Sequence, residues 1–293
     1  MDMDDVTVGI KSFFRPEKLE ICLKSLDNNP HEFKEIIVAD DGEINEEKRK
    51  LYEEYQEKLP LNLIELDFDY GLAASRNKIV EEMNGDYLLL LDDDMAVPGN
   101  VDLLKHILEA EDSLGGIAGV LYEDGNYKSS AQDLFLENTL FGKTLVRDIR
   151  EEKEAEVETQ IGRKTIYEYD FITTCALIRR EALKDQKWDP EYIIEYEHLD
   201  FYWSHKQNTD WHFAITEEVT FSHYPGGSID FEENRESKDK HKDSEEHFKS
   251  KWGIDQIVGR KSHFSSNVTI RRGLKNKLRD KISINLYGYI NRL

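Results

Sequence analysis

The chain has 293 residues, 39% of them hydrophobic, and a formal net charge of −22. That length suffices to bury a sizeable core, and the charge argues against a nucleic-acid partner because an acidic surface repels phosphate backbones. No apolar run approaches the roughly 20 residues of a membrane-spanning helix, and the acidic start "MDMDDVTVGI" lacks the basic and apolar stretches of a signal peptide, so a cytoplasmic location is expected.

In chain order, "VTVGIKSF" (6–13) alternates and reads as a strand. "RPEKLEICLKSLDNN" follows with Leu19, Cys22, Leu23 and Leu26 at helical spacing, Pro16 in the first turn and Asn28-Asn29-Pro30 as a stop. "KEIIVADDG" (34–42) is a second strand, ending in Asp40 and Asp41. A polar helix leads to a third strand, "LNLIELD" (61–67), and a helix over 71–85 leads to a fourth, "DYLLLLDDD". Strand and helix in alternation predict a parallel sheet covered by helices. Such strands are buried on both faces, which explains four consecutive leucines.

Beyond Pro98 the pattern loosens. "NVDLLKHILEAEDS" predicts a helix and "GGIAGVLYED" a strand; residues 125–170 are polar and irregular. "YDFITTCALIRREAL" reads as a strand entering a helix, and "TDWHFAITEEVTFSHYPGG" as two short strands with a turn. From about 231 the chain is strongly polar and predicted helical. The distant Cys22 and Cys175 form no CxxC pair and read as buried thiols.

Ligands of open α/β sheets bind at the carboxyl ends of the strands. Two parallel strands here end in carboxylates, Asp40-Asp41 and Asp92-Asp93-Asp94, so both clusters fall on one sheet edge. In an extended strand end, Asp92 and Asp94 point the same way and Asp93 the other. Two such carboxylates suit a hard cation, Mn²⁺ or Mg²⁺, with substrate phosphates completing the shell.

These motifs, in this order, resemble the nucleotide-sugar transferases of glycosyltransferase family 2. "VTVGIKSFFRPEKLEICLKSL" is similar to the family's opening strand and helix, "EIIVADDG" to its base-binding strand end, and "GLAASRNKIVEEMNGDYLLLLDDD" to its Ala-Arg-Asn helix and DxD strand. "TTCALIRREAL…WDP" and "EYEHLDFYW" resemble its cleft-lining and catalytic-base segments. The resemblance spans roughly 5–230. It implies the α/β GT-A fold: a Rossmann-like, mostly parallel central sheet with helices on both faces, plus a C-terminal helical extension. It places a nucleotide-sugar half at 1–98, an acceptor half at 99–230 and the extension at 231–293.

The same resemblance implies site roles. Ser12, Arg15, Asp40, Asp41, Arg76 and Asp93 would bind the donor, a nucleoside-diphosphate sugar with UDP favoured. Asp92, Asp94 and His223 would hold Mn²⁺ or Mg²⁺. Asp200 would be the catalytic base, assisted by Glu197, in an inverting transfer to a hydroxyl. Trp188 and Tyr196, beside these motifs, are expected to touch sugar. The acceptor class would be a glycan or a lipid-linked saccharide. Asp69 stands where the family often has Asn, and "KSFFR" departs from its usual first-strand end, so the choice of base stays open between UDP, GDP and TDP.

A nucleotidyltransferase is the alternative enzyme, but it would carry a Gly-rich, basic phosphate loop near the first strand, and "VGIKSFFRPEK" has one Gly. A binding module without turnover is the non-enzymatic alternative. In the basic tail, Leu274, Leu278, Ile282 and Leu286 recur every four residues. That pattern predicts an amphipathic helix over 271–293, for an anionic membrane surface or for packing on the domain or a second copy in a homo-oligomer.

Overall fold

The structure, a computed structural model, describes residues 2–264 apart from 141, 151 and 152. The first half alternates as expected: β1 (Met3–Ser12), α1 (Pro16–Asp27), β2 (Phe33–Asp40), α2 (Glu46–Gln56), β3 (Leu61–Glu65), α3 (Leu72–Glu82) and β4 (Tyr87–Asp92). Pro16 occupies the first turn of α1, where its missing N–H costs nothing. Asn45 caps α2 by accepting from the Lys48 N–H at 2.9 Å.

The remainder comprises β5 (Met95–Ala96), α4 (Asp102–Ala110), β6 (Leu114–Glu123), β7 (Asn126–Lys128), β8 (Asp133–Thr139), β9 (Gly142–Asp148), β10 (Glu154–Thr159), β11 (Gly162–Tyr169), β12 (Ala176–Arg179) and α5 (Arg180–Asp185). It ends with α6 (Glu197–Asn208), β13 (His212–His223), α7 (Ile229–Arg235), α8 (Lys238–Trp252) and β14 (Gln256–Gly259).

The main sheet runs β10-β11-β13-β6-β12-β4-β1-β2-β3. β4, β1, β2 and β3 are mutually parallel, so the ends of β2 and β4 lie on one edge. β12 enters antiparallel between β4 and β6. The leucines of β4 are buried between two neighbours, Leu88 and Leu90 toward one core face and Leu89 and Leu91 toward the other.

Two expectations change. Residues 212–223 form one strand, not two with a turn; a register shift between Ile215 and Thr220 absorbs Glu217 and Glu218 as an irregularity. Residues 125–170 fold into hairpins: β10–β11 extends the main sheet, and β8–β9 forms a separate three-stranded sheet completed by β14. The polar segment after 231 is helical as expected, and Phe248 of α8 and Ile254 are buried in the same core as α6. Both cysteines are free and buried. Among the described residues no helix is long and apolar enough to cross a membrane. The amphipathic expectation for 271–293 lies outside the described residues.

Candidate active site

The carboxyl edge of β1, β2 and β4 opens into a cleft of about 360 Å³. β1 and β2 are in register at Ser12 and Asp40, and β1 and β4 at Lys11 and Asp92. The chain then turns at Asp93 and Asp94 before β5. This turn ends the extended geometry that would have pointed Asp92 and Asp94 the same way.

Asp40 and Asp41 divide their work. Asp40 is fully buried and accepts from Lys48 Nζ at 2.7 Å, Tyr52 Oη at 2.5 Å and the Gly42 N–H at 2.9 Å. It ties α2 to the strand end and, though expected to bind the donor, does not line the cleft. Ser12, opposite it, is also fully buried and does not line the cleft. Asp41 does line the cleft, with Lys11 Nζ 2.7 Å from its Oδ1 and the Gly71 N–H donating to Oδ2 at 3.0 Å. Two glycines permit this. A Cβ on Gly42 would stand 2.3 Å from the Phe13 carbonyl oxygen, and Gly71 has φ +101°, a region that side chains avoid.

The aspartate turn is neutralised by arginines. Arg15 Nη1 donates to Asp94 at 2.6 Å, its Nη2 pairs with Asp93, and its guanidinium lies 4.1 Å over the Phe231 ring. Burial alone would lower the Arg15 pKa; Asp93 and Asp94 outweigh it and raise it. Asp93, buried and only partly compensated by Arg15, is pushed up to about 6. Arg76, buried on α3, spans the cleft: Nη2 lies 3.3 Å from Asp92 and Nη1 2.9 Å from Glu197. Thr174 donates to the other Asp92 oxygen at 2.9 Å.

His223 ends β13. Its Nδ1 is 2.7 Å from Glu123 and its Nε2 3.5 Å from Asp94. Burial would lower the imidazole pKa, but these two carboxylates raise it. Asp94 keeps a buried oxygen, Oδ1, with no hydrogen-bond partner. An orphaned carboxylate oxygen beside an imidazole oriented by a second carboxylate fits the donor set of a hard divalent cation. Asp92 instead faces Arg76 and Thr174, and no three His, Cys, Asp or Glu side chains gather as a metal site among the described residues.

At the start of α6 two carboxylates part, one lining the cleft and the other not. Glu197 lines the cleft; Arg76 holds its Oε1, and its buried Oε2 has no partner. Asp200 is fully buried outside the cleft, accepting from Trp252 Nε1 at 2.7 Å and Tyr192 Oη at 3.3 Å, with Lys251 Nζ at 2.8 Å. The structure thus sets Asp200, expected as the base, apart from the cleft and behind contacts with α8. Trp188, expected to touch sugar, is core, stacked on Phe201 with centroids 4.3 Å apart, and Tyr196 packs on Phe248; neither lines the cleft.

Sequence reasoning missed Lys11, Phe13, Thr174, His198 and the α7 residues Phe231 and Arg235, all of which line the cleft. Lys11 had a signal, being in register with Asp92 at the end of β1. His198 follows Glu197; its Nδ1 lies 3.4 Å from Trp188 Nε1, and its Nε2 is buried without a partner. As an acceptor at Nδ1, the neutral ring carries its proton on Nε2. The α7 residues left no signal, since a polar helix does not announce which wall it will form.

A family model for glycosyl transferase family 2 matches residues 7–186. The uncharacterized glycosyltransferase MJ1057 of Methanocaldococcus jannaschii is 25% identical over 224 residues, 74% of this chain and 70% of that protein. The uncharacterized glycosyltransferase YwdF of Bacillus subtilis is 34% identical over 126 residues, 41% of this chain and 45% of that one. In fold, the chain is similar to S. aureus TarS 1–349 in complex with UDP-GlcNAc, with a TM-score of 0.53 and 16% identity over 92% of this chain and 77% of that structure. A further crystal structure of S. aureus TarS 1–349 gives a TM-score of 0.54 and 16% identity over 76% of this chain and 60% of its own. The sheet, the strand-end cleft and a family match over more than half its length agree: this GT-A-type chain belongs to glycosyl transferase family 2.

Proposed function

We propose that the protein transfers a sugar from a nucleoside-diphosphate sugar, UDP being favoured, to a hydroxyl of a glycan or lipid-linked acceptor, with inversion. The observation that carries this reading is one cleft lined by Asp41, the aspartate turn and Glu197 with an unpartnered oxygen. Asp41 accepts from the base N–H of the nucleotide, while Lys11 and Arg15 sit where a diphosphate needs cations. Asp94 and His223, with Asp92 nearby, would hold Mn²⁺ or Mg²⁺; the cation supplies Lewis-acid stabilisation of the leaving diphosphate.

Glu197 is the base. Arg76 fixes Oε1, so Oε2 faces the acceptor hydroxyl and takes its proton as the oxygen bonds to the anomeric carbon and the bond to the diphosphate breaks. One displacement inverts that carbon. His198 Nε2–H holds a sugar or phosphate oxygen. The UDP and UDP-GlcNAc complexes of TarS support a UDP donor. The test is UDP release from a panel of UDP-sugars with Mn²⁺. Turnover lost to EDTA and restored by Mn²⁺ is expected; absence of both turnover and UDP binding across the panel would overturn the reading.

A further inference from the structure

A second concavity of about 460 Å³ opens beside the cleft. Lys128, Arg147 and Arg260 line it together with Ser129, Ser130 and Ser262, and no acidic side chain does. This is conspicuous in a chain with 61 Asp and Glu against 39 Lys and Arg, where a basic lining free of acid is the exception.

Arg147 is the centre of it. Its Nε donates to Gln132 Oε1 at 3.0 Å and its guanidinium lies 4.7 Å from the centroid of the Phe171 ring. Among the described residues no carboxylate oxygen comes within the 4.0 Å of an ion pair. Lys128 and Arg260, in contrast, pair with carboxylates: Lys128 with Glu123, and Arg260 with Asp148 at 3.5 Å. Burial lowers the Arg147 pKa, and the charge of Glu195, which forms no ion pair with it, offsets only part of that cost. A guanidinium fixed at Nε by an amide and on one face by an aromatic ring presents its two remaining nitrogens as a preformed fork for an oxyanion.

The concavity shares a wall with the cleft. Thr173 lines it, and the next residue, Thr174, donates to Asp92. Lys128 also joins the two sites through Glu123, which bonds His223.

We infer that the Arg147 concavity is a subsite for an anionic group, phosphate or carboxylate, borne by the acceptor. The word acceptor rests on the proposed transfer reaction; the anion site does not.

The experiment titrates inorganic phosphate, and separately glucose 6-phosphate, into the full chain pre-mixed with UDP, by calorimetry. Arg147→Gln should weaken phosphate binding by about tenfold or more, the loss of a bidentate charge-assisted pair, while UDP affinity stays unchanged. Arg147→Gln that melts like the wild type and binds phosphate equally well would overturn the site. If that variant does not fold, the rim pair Lys128→Gln/Arg260→Gln decides, with undiminished phosphate binding again overturning it. Glucose 6-phosphate binding more tightly than inorganic phosphate supports an acceptor-borne group, and equal or weaker binding overturns that part. Phosphate binding lost in Arg147→Gln, with no UDP binding in any variant, would keep the anion site and remove the transferase reading beneath it.

Discussion

Glu197→Gln is expected to lower transfer by about 10³-fold, within the range for a deleted general base, and to leave UDP affinity as it is. The amide keeps the volume of the side chain, and its oxygen can still accept from Arg76, which holds Oε1 at 2.9 Å. What disappears is the basic Oε2, the oxygen without a partner. Transfer and UDP binding are measured on one preparation, the first by UDP release in single turnover and the second by calorimetry. Transfer at the wild-type rate would remove Glu197 as base, and a matching loss of UDP affinity would reassign it to donor binding.

Asp200→Asn should behave in the opposite way: transfer per folded molecule persists and stability falls. The carboxylate accepts from Trp252, Tyr192 and Lys251, all donors. An asparagine must turn its NH₂ toward one of them, leaving two donors opposed in a fully buried place. Removing one side of a buried pair costs about 3–5 kcal/mol; because Lys251 is about a third exposed and therefore screened, about 2–3 kcal/mol is expected. Denaturant melts of the two proteins give the difference directly. An Asp200→Asn protein as stable as the wild type but inactive would return the base to Asp200.

The contrast between these two carboxylates marks the limit of what was legible. Their three-residue spacing on a helix was readable, and it put both on one face. Which of them meets the cleft depends on how the chain enters α6, through Glu195 at φ 56° and Tyr196 at φ 61°. No glycine marks that left-handed pair, so the rotation it imposes had no sequence signature. Trp188 illustrates a related gap: an aromatic next to a site motif suggested sugar contact, and packing on Phe201 used it as core.

The parallel half was legible because physics leaves it few choices. Doubly buried strands demand continuous apolar runs, and charge at their ends then has one edge to occupy. The aspartate turn carried the strongest signal, and its location on that edge follows as expected. Its electrostatics did not, because the cations that answer it, Arg15 and Arg76, come from distant segments. Residues 125–170 and β13 were less readable. Their strands are short or half polar, and Glu217-Glu218 in mid-strand mimics a turn that the bulge makes unnecessary.

The small sheet of β8, β9 and β14 has a consequence for how the chain is made. β9 pairs with β8 at once, as a hairpin, but its other edge is filled only by residues 256–259, more than a hundred positions later. During synthesis that edge stays open while the main sheet forms, a template for misplaced strands until the last partner emerges. Closing so long a loop is slow. The same late segment follows α7, which walls the strand-end cleft, and α8, which encloses Asp200. A chain stopped near residue 230 would thus be unfinished in two places at once, sticky at β9 and open at the cleft, and chaperone dependence should fall sharply once residue 259 is included.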